Sequence, residues 1–325
     1  MAKINSTISV VIPCYNYGKY LKRCINSVLN QTRKPQEIWV IDDCSLDNTK
    51  EVVKFYKDKI KYFRNKKNLG AAKSHNVGIK KSSGDYIFCL DADDWVGPTL
   101  LQKEAEILDS YPQIGLVYSQ SYSVYSSKKI ILRVPDPPGM LSYIGGKKDF
   151  FRLLRGDFIP ANTMLIRKKV YQKVGLYDPK VYCRSDYEMK IRIAKEFPLA
   201  YLAQPLGYYR GIHGQNLHMR QIWDQSFEWE LSYILKKHFS GKLSQSMSEI
   251  KKEAYYRFHL SVSLANLAKN RWSEVFRHWF SALLIKPFSI LTWSTIQPLV
   301  LCFKRAVFSL FDLIRTFFYT LRYGF

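Results

Sequence analysis

Three carboxylates stand within four positions at Asp91, Asp93 and Asp94, directly after an apolar run at 86–90. Side chains two positions apart in an extended chain point to the same side, so Asp91 and Asp93 would face one space together. Paired carboxylate oxygens are ligands that Mg²⁺ and Mn²⁺ prefer, and a cation held there could bind a diphosphate. The alternative is a surface turn whose acids cap a helix that begins near Pro98, since Asp and Pro commonly precede helices.

The overall charge raises the question of what a basic protein would do with such a cluster. The chain of 325 residues has a formal net charge of +23, from 50 Lys and Arg against 27 Asp and Glu. This excess favours anionic partners, namely nucleotides, nucleic acid or an anionic membrane surface, without choosing among them. Six cysteines without a CxxC pair favour buried, reduced thiols in a cytoplasmic protein. The amino terminus resembles a strand rather than a signal peptide.

Short β-branched or aromatic runs alternate with helical periodicity in the first part of the chain. The runs predict strands at 8–12, 37–41, 61–63 and 86–90, and the periodic segments predict helices at 19–29, 49–56 and 71–80. Strands that are apolar throughout are typical of a parallel sheet buried on both faces. Ligands of such sheets bind at the carboxyl ends of the strands, where Asp42, Asp43 and the acidic cluster stand.

The character of the sequence changes near residue 216. Before it, the pattern predicts a surface loop at 134–146, a strand at 164–166 and a helix at 186–194. After it, the chain becomes helical, with few Gly or Pro before Pro287, and 271–285 has apolar residues at helical spacing. We therefore predict one domain at 1–215 and a helical C-terminal region at 216–325.

Two segments near the C-terminus bear on membrane association. Residues 288–303 carry no charge, but the segment is shorter than the ~20 residues that a membrane-spanning helix needs. Residues 302–321 mix aromatic and aliphatic side chains with Lys and Arg, which favours a helix lying in an anionic membrane interface. The alternative is a helix packed on its own domain or on a partner.

Several motifs in a fixed order make the sequence resemble the family 2 glycosyltransferases, which have the GT-A fold. The matching stretches are ISVVIPCYNYGKYLKRCINSVLNQT, EIWVIDDCSLDNT, NLGAAKSHNVGI, GDYIFCLDADDW and GLYDPKVYCRSDYEMKIRIA. Their order and spacing match over residues 7–215, and the region after 216 lies outside the resemblance. The resemblance implies a Rossmann-like α/β fold, with a mostly parallel sheet flanked by helices and a nucleotide-sugar site in the first half.

The implied donor site has a nucleotide half and a metal half. Tyr15 would pack on the base, Asp43 would accept a base N–H, and Gly70 would allow close approach of the backbone. Asp93 would be the principal ligand of Mn²⁺ or Mg²⁺, and Asp91 a ribose or metal contact. The full implied nucleotide-sugar set is Pro13, Tyr15, Asn16, Asp43, Gly70, Lys73, Asp91 and Ala92, and the implied metal contacts are Asp91, Asp93 and His213.

Several positions of the resemblance have a second interpretation. Asp42 is either a ligand contact or a turn residue, and Asp94 caps the next helix rather than doing chemistry. Lys73 stands where many relatives carry Arg, and it either contacts the nucleotide or is a solvated helix lysine. His213 either approaches the metal and diphosphate as a neutral imidazole or is an ordinary surface or core residue. Arg210, in the same YRGIHGQN motif, could neutralise phosphate.

The resemblance implies a catalytic base at Asp186, which would take the proton of an acceptor hydroxyl in an inverting transfer. Relatives carry an acid before this residue and Trp four positions after it, where this chain has Ser185 and Lys190, while Arg192 is present. These departures bear on the acceptor chemistry, because a neighbouring carboxylate would help raise the pKa of the base. The alternative for Asp186 is an N-cap of its helix. The FIPAN stretch at 158–162 lies where relatives shape the acceptor pocket.

The sequence thus predicts an inverting glycosyltransferase that moves a sugar from a nucleotide-sugar donor to a glycan or lipid-linked saccharide. We expect it to act in surface polysaccharide biosynthesis at the inner face of the cytoplasmic membrane, without a nucleic-acid partner. The alternative that Ser185 and Lys190 permit is a catalytically inactive binding protein of the same fold, a scaffold in polysaccharide assembly. A nucleotidyltransferase is disfavoured, because PCYNYG follows the first strand in place of a glycine-rich, basic phosphate loop.

Overall fold

The chain divides into two compact units, residues 1–220 and 221–325. A computed structural model describes residues 6–125, 128–132, 143–145, 147–211, 226–241, 243–267 and 269–287. The predicted domain boundary at 215 and 216 lies outside these ranges, so the exact limits of the two domains stay a prediction.

The first unit is built on a sheet whose first four strands are parallel. They are β1 (Ile8–Cys14), β2 (Glu37–Asp42), β3 (Lys61–Arg64) and β4 (Tyr86–Cys89), in the order β3-β2-β1-β4. The connections contain α1 (Gly18–Leu29), α2 (Thr49–Lys54) and α3 (Ala71–Lys81). All of these elements are confirmed within two residues of their predicted limits, because their apolar patterns are regular and uninterrupted.

β1 is buried because helices cover both faces of the sheet. Val10 and Ile12 belong to the core cluster that includes the apolar stripe of α1, and each is 0% exposed. Burial of one such side chain contributes about 1.5–3 kcal/mol. On the opposite face, a Cβ added to Gly78 of α3 would stand 2.2 Å from a methyl carbon of Val11. Glycine at 78 therefore permits the close approach that fixes α3 against the sheet.

Beyond β4 the sheet continues with strands of mixed direction. They are β5 (Trp95–Val96), β6 (Leu116–Tyr125), β7 (Lys128–Leu132), β8 (Tyr143–Ile144), β9 (Leu165–Arg167) and β10 (Leu199–Arg210). The order continues β4-β9-β6-β10-β5, with β7 on β6 and β8 on β10. β9 is antiparallel to both of its neighbours, whereas β10 is parallel to β6. The predicted α/β sheet is confirmed, and its parallel arrangement holds for the first half.

The helices of the second half flank this mixed sheet. They are α4 (Leu100–Ser110), α5 (Lys147–Arg155), α6 (Lys168–Val174) and α7 (Ser185–Glu196), and a 3₁₀ turn spans Ala161–Thr163. α7 confirms the helix predicted at 186–194, and β9 confirms the strand predicted at 164–166. The surface loop predicted at 134–146 lies mostly outside the described residues, but β8 falls within it as a short strand paired with β10.

The cysteines of the described ranges are all free thiols. Cys14, Cys24 and Cys89 are buried, and Cys44 and Cys183 are half-buried. Burial raises the pKa of Cys14 and of Cys89 to about 12. A thiol with such a pKa stays protonated and unreactive at neutral pH, which agrees with the predicted reduced state.

The second unit is helical where it is described. Its helices are α8 (Ser226–His238), α9 (Gln245–Leu267) and α10 (Trp272–Ile285), and α10 confirms the helix predicted at 271–285. Tyr256 and Leu260 of α9 pack against Ala282 of α10. Among the helices of the described ranges, none is long and apolar enough to cross a membrane. The segments 288–303 and 302–321 lie outside those ranges, so their predicted membrane contact stays a prediction.

Candidate active site

A cleft of about 710 Å³ opens at the carboxyl edge of the sheet. β2, β1 and β4 are adjacent and parallel, so the residues that follow them meet at one place. Asp186, near the start of α7, lines the same cleft. Nine of the predicted site residues line it, namely Pro13, Tyr15, Asn16, Asp43, Gly70, Asp91, Ala92, Asp93 and Asp186.

Two of the predicted site residues are not placed there. Lys73 is exposed on α3 and is absent from the residues that line the cleft, which favours the solvated alternative. His213 lies outside the described residues. Arg210 also stands apart from the lining: its guanidinium lies 4.3 Å from the centre of the Tyr20 ring, and its Nε donates to the Asp93 carbonyl at 3.1 Å. Arg210 thus supports the backbone of the acidic loop.

The loop after β1 presents Tyr15 to the cleft with 38% of its surface exposed. Asn16, which follows it, has φ of 57°, a left-handed conformation that Asn tolerates better than most residues. The backbone N–H of Asn16 donates to Ser45 Oγ at 3.0 Å, and the side-chain oxygen of Asn16 accepts from the backbone N–H of Leu46 at 2.7 Å. Asn16 therefore joins the loops after β1 and β2 and holds Tyr15 at the edge of the cleft.

Asp43 is held by three hydrogen bonds and is only 3% exposed. Its Oδ1 accepts from Asn65 Nδ2 and from the Leu69 amide, and its Oδ2 accepts from the Gly70 amide, each at 2.8 Å. Gly70 has φ of 87°, where a side chain would be strained, so glycine allows its amide to point at the carboxylate. A carboxylate offers roughly four acceptor positions, and Asp43 therefore keeps one for a ligand.

Asp42, next to Asp43, makes its bonds inside the protein. It is fully buried, and it accepts from the Ser45 amide at 2.8 Å, the Tyr62 hydroxyl at 2.6 Å and Arg64 Nη1 at 2.7 Å. Burial and the contact with Asp42 raise the pKa of Tyr62 to about 12, so its hydroxyl remains a donor. These partners favour the turn alternative for Asp42.

The acidic loop does not continue β4 as an extended segment, which the sequence analysis had predicted for Asp91 and Asp93. The Asp94 amide donates to the Asp91 carbonyl at 3.0 Å, so residues 91–94 form a turn rather than an extended segment. Asp91 and Asp93 nevertheless both line the cleft, with Asp91 more open than Asp93. Ala92 between them is 1% exposed and belongs to the apolar core. The expected shared space is present, but turn geometry creates it.

Asp91 is the acid of this loop with the more accessible side chain. Withdrawal of water by the cleft walls raises the pKa of Asp91 to about 7, and the charges of Asp93 and Asp186 add to the rise. Because 57% of its side chain is still exposed, water moderates this effect. A divalent cation beside Asp91 and Asp93 would offset the repulsion between their carboxylates.

His75 of α3 lines the cleft, although the sequence pattern indicates only that it lies in the helix predicted at 71–80. Its Nδ1 lies 3.0 Å from the Ala71 carbonyl, which requires the N–H on Nδ1 and leaves a lone pair on Nε2. That Nε2 lies 3.8 Å from Asp91 Oδ1. Burial lowers the pKa of His75, which keeps the ring neutral. The available signal was its position five residues after Gly70, on a helix that begins at the cleft.

Asp94 does not cap the following helix, so that prediction was wrong. α4 begins at Leu100 without a side-chain cap. Asp94 is 3% exposed, and its Oδ1 accepts from the Arg210 amide at 2.8 Å. Burial, followed by the nearby charges of Asp93 and Asp91, raises the pKa of Asp94 well above its usual range. Asp94 thus joins the acidic loop to the end of β10.

Asp186 is the second residue of α7, after Ser185, and no side chain caps that helix. The N-cap alternative is therefore not supported. Its carboxylate Oδ2 accepts from Lys190 Nζ at 2.7 Å, and its side chain is 31% exposed. Burial, the largest single effect, would raise the pKa of Asp186, but the Lys190 ammonium, the Tyr187 amide and Arg184 together lower it. The residue that replaces the family's Trp is thus a direct partner of the proposed base.

One wall of the cleft, where the sequence predicts the acceptor pocket, is formed by part of the FIPAN stretch and the loop before α7. Within FIPAN, Ala161 and Asn162 line the cleft, whereas Phe158 and Ile159 are buried below it. Arg192 of α7 binds both carboxylate oxygens of Glu188 and the Leu176 carbonyl at 2.8 Å. Arg192 therefore fixes the loop that leads toward Asp186 without lining the cleft.

A second group of metal-ligand side chains lies in the C-terminal unit. Glu228, Glu274 and His278 bring their ligand atoms within 4.8 Å of one another. Arg277 already supplies a cation there, because its Nη2 pairs with Glu274 and lies 2.9 Å from His278 Nε2. This guanidinium already balances the carboxylate charge, which disfavours a metal at this group.

Residues 9–175 match the model of the family described as Glycosyl transferase family 2. An uncharacterized glycosyltransferase of Methanocaldococcus jannaschii is 30% identical over 242 residues, which cover 72% of this chain and 80% of the relative. An uncharacterized glycosyltransferase of Rickettsia conorii is 32% identical over 197 residues, 60% of this chain and 32% of the relative. This chain thus spans about a third of the length of the Rickettsia relative.

Two solved structures share the fold. S. aureus TarS in complex with UDP-GlcNAc has a TM-score of 0.55 at 17% identity, covering 85% of this chain and 90% of that chain. The mannosyltransferase PcManGT of Pyrobaculum calidifontis, in complex with GDP-Man and Mn²⁺, has a TM-score of 0.56 at 16% identity, covering 93% of this chain and 87% of that chain. The likeness confirms the predicted GT-A architecture.

Proposed function

Because the chain belongs to glycosyl transferase family 2, we propose that it is an inverting glycosyltransferase that uses a nucleotide-sugar donor and a glycan or lipid-linked acceptor. The observation that carries the proposal is the single cleft lined by Asp43, Asp93 and Asp186. In this proposal Asp43 contacts the nucleobase, Asp93 binds the cation and Asp186 accepts the proton of the acceptor. The donors bound in the two solved structures, UDP-GlcNAc and GDP-Man, support the class of donor.

The nucleotide would bind at the loops after β1 and β2. The Tyr15 ring is exposed at the cleft and can stack on a base, an interaction worth about 1–3 kcal/mol. The remaining acceptor position of Asp43 can take one base N–H through a charge-assisted hydrogen bond. Gly70 lacks a side chain where the backbone approaches the ligand.

The metal would bind at the acidic loop. The carboxylates of Asp91 and Asp93 and the neutral Nε2 of His75 are oxygen and nitrogen donors, a set that suits Mn²⁺ and, with more waters, Mg²⁺. When bound, the ion stabilises the charge of the departing diphosphate. The Mn²⁺ of PcManGT supports this choice of metal.

Asp186 would act on the acceptor. Its carboxylate takes the proton of the acceptor hydroxyl as that oxygen forms a bond to the anomeric carbon of the sugar. The bond from this carbon to the phosphate oxygen breaks, and its electron pair leaves with the nucleoside diphosphate. Attack from the opposite side inverts the configuration at the anomeric carbon.

The proposal is tested by measuring release of nucleoside diphosphate from a panel of nucleotide sugars with Mn²⁺. Saccharide extracts are added as acceptors. We expect one donor to give release that requires Mn²⁺ and rises with acceptor, with a product of inverted configuration by NMR. The inactive-scaffold alternative instead predicts nucleotide binding, seen as a rise in the melting temperature, without release for any donor. A product of retained configuration would contradict the inverting mechanism.

We further propose that the enzyme acts at the inner face of the cytoplasmic membrane in surface polysaccharide synthesis. The net charge of +23 and the basic, aromatic sequence at 302–321 support attraction to an anionic surface. We expect the chain to co-sediment with vesicles that contain phosphatidylglycerol, and this binding to weaken as salt is raised. A chain lacking residues 288–325 is expected to lose the binding, and unchanged binding would refute the role of this segment.

A further inference from the structure

Lys190 is buried beside the cleft, with a side chain only 1% exposed. A buried ammonium is costly unless each of its three N–H donors has a partner. Lys190 Nζ donates to Asp186 Oδ2 at 2.7 Å, to Asp157 Oδ2 at 2.9 Å and to the Ile159 carbonyl at 2.7 Å. The three acceptors account for all three donors of the lysine.

These bonds connect two separate parts of the cleft. Asp186 belongs to α7, whereas Asp157 and Ile159 belong to the segment between α5 and the 3₁₀ turn at Ala161–Thr163. Asp157 lines the cleft together with Asp186. Lys190 therefore fixes the proposed base relative to the segment that shapes the acceptor side.

We propose that Lys190 is a positioning residue that holds the Asp186 carboxylate ionised and in one orientation, with Asp157 as the second fixed point. The inference rests on the proposed role of Asp186 as the base. Lys190 bonds to Oδ2, and the Tyr187 amide also donates to this carboxylate, so two partners fix its orientation. The lysine acts on the base in the direction opposite to the acidic neighbour that relatives carry, because it lowers the pKa of Asp186 whereas a neighbouring carboxylate would raise it.

The charges around Asp186 determine what loss of the lysine would do. Asp157 and Asp186 share one ammonium, so removal of Lys190 would leave two carboxylates close together, which disfavours ionisation of at least one of them. Burial and Asp186 raise the pKa of Asp157 despite the lysine, and the lysine lowers the pKa of Asp186. Loss of Lys190 would therefore raise the pKa of Asp186.

Other titratable groups also face Asp186. They are His75 on α3, Asp91 after β4, Tyr177 and Arg184 in the loop before α7, Tyr187 beside it, and Asp157. His75 and the tyrosines are neutral near pH 7, because burial lowers the pKa of His75 and raises that of Tyr177 and Tyr187. Arg184 lowers the pKa of Asp186 after Lys190 does. Lys190 is thus the cation with the larger effect on the base.

A matched pair on the same helix provides a control. Glu188 and Arg192 are also an i,i+4 ion pair of α7, with Arg192 Nη2 at 2.7 Å from Glu188 Oε2. Neither residue lines the cleft. Arg192→Met therefore removes a half-buried cation of the same helix without removing a partner of the base.

The experiment measures the pH dependence of kcat/KM for sugar transfer with Mn²⁺ and a fixed acceptor. Activity needs ionised Asp186, so it declines as pH falls through the pKa of this residue. We expect Lys190→Met to move the acidic limb upward by about one pH unit or more, which is roughly a tenfold loss on that limb. We expect Asp157→Asn, which removes a like charge, not to move the limb upward, and Arg192→Met to leave it in place.

The double variant Asp157→Asn/Lys190→Met keeps the proposal testable if the single lysine variant does not fold. It removes the Asp157 charge together with the ammonium, so only the partly exposed Asp186 carboxylate loses its partner. We expect the limb to return toward that of the wild type while kcat stays reduced, because the carboxylate is no longer oriented. An unchanged limb in folded Lys190→Met, or a wild-type kcat in the double variant, would overturn the inference. If Asp186→Asn transfers sugar normally, the proposed function fails instead.

Discussion

Asp93→Asn is expected to lower Mn²⁺-dependent sugar transfer by roughly a hundred- to a thousandfold, because a ligand of the cation is weakened. Asp93 lines the cleft and is 8% exposed. An amide oxygen carries no charge and binds a hard cation less tightly than a carboxylate does. The Mn²⁺ concentration for half-maximal activity should therefore rise, and added Mn²⁺ should restore part of the rate.

Asp94→Asn is the matched control, since it makes the same change one position along the chain. Burial raises the pKa of Asp94 well above its usual range, so a neutral amide resembles it closely. The amide oxygen can still accept from the Arg210 amide. We expect a loss below tenfold for this variant. Equal losses in both variants, or Mn²⁺ binding to Asp93→Asn as tight as to the wild type by electron paramagnetic resonance, would remove Asp93 from the metal site.

Asp186→Asn is expected to reduce kcat for transfer by about a hundred- to ten-thousandfold, the range of a lost general base. The amide keeps the shape of the side chain but cannot take the acceptor proton. Affinity for the nucleoside diphosphate, measured by calorimetry with Mn²⁺, should stay within a few fold of the wild type, because the role proposed for Asp186 concerns the acceptor and not the nucleotide.

Glu196→Gln, near the end of the same helix, is the control for Asp186→Asn. Its side chain is 40% exposed and lies 4.0 Å from Lys173, a weak surface pair. We expect transfer at the wild-type rate. If Asp186→Asn loses nucleotide affinity and transfer together, the residue contributes to donor binding or folding rather than to proton transfer.

The sequence predicted that Asp43, Asp91, Asp93 and Asp186 share one site, and all four line the cleft, but it did not separate Asp42 from Asp43. Asp42 and Asp43 are neighbours in the chain, and only the structure shows that Asp42 bonds to Tyr62 and Arg64 of β3 while Asp43 faces the cleft. The partners come from about twenty residues downstream, so no local pattern separates the two acids. Asp94 was assigned to a helix cap for the same reason, because its partner Arg210 is distant in sequence.

The surroundings of His75 and Lys190 could not be predicted, because a sequence shows residue types and not the contacts between distant residues. His75 lies on a helix with an ordinary apolar stripe, and its proximity to Asp91 follows from the packing of α3 on the sheet. The sequence shows Lys190 as a departure from the family pattern. Its contact with Asp157, which lies thirty-three residues earlier, is visible only in the structure. Such pairs become visible only when the segments that carry them are placed side by side.

The first half of the sheet was predictable, whereas in the second half only β9 was predicted. β1 to β4 are continuous apolar runs, whereas β6 reads LVYSQSYSVY, with serines at alternate positions. Polar residues in a strand weaken the apolar pattern on which such predictions rest. β10 contains Pro205 at a register shift against β6, which further obscures it.

The hydrogen bonds of Asp43 limit the selectivity that this residue can give among nucleobases. Three of its roughly four acceptor positions are committed to Asn65, Leu69 and Gly70. In its proposed role the carboxylate can therefore distinguish nucleobases only by whether a single N–H is present at that position. Any finer discrimination among nucleobases depends on the shape of the cleft around Tyr15. Recognition of the donor then rests on one hydrogen bond and on shape complementarity.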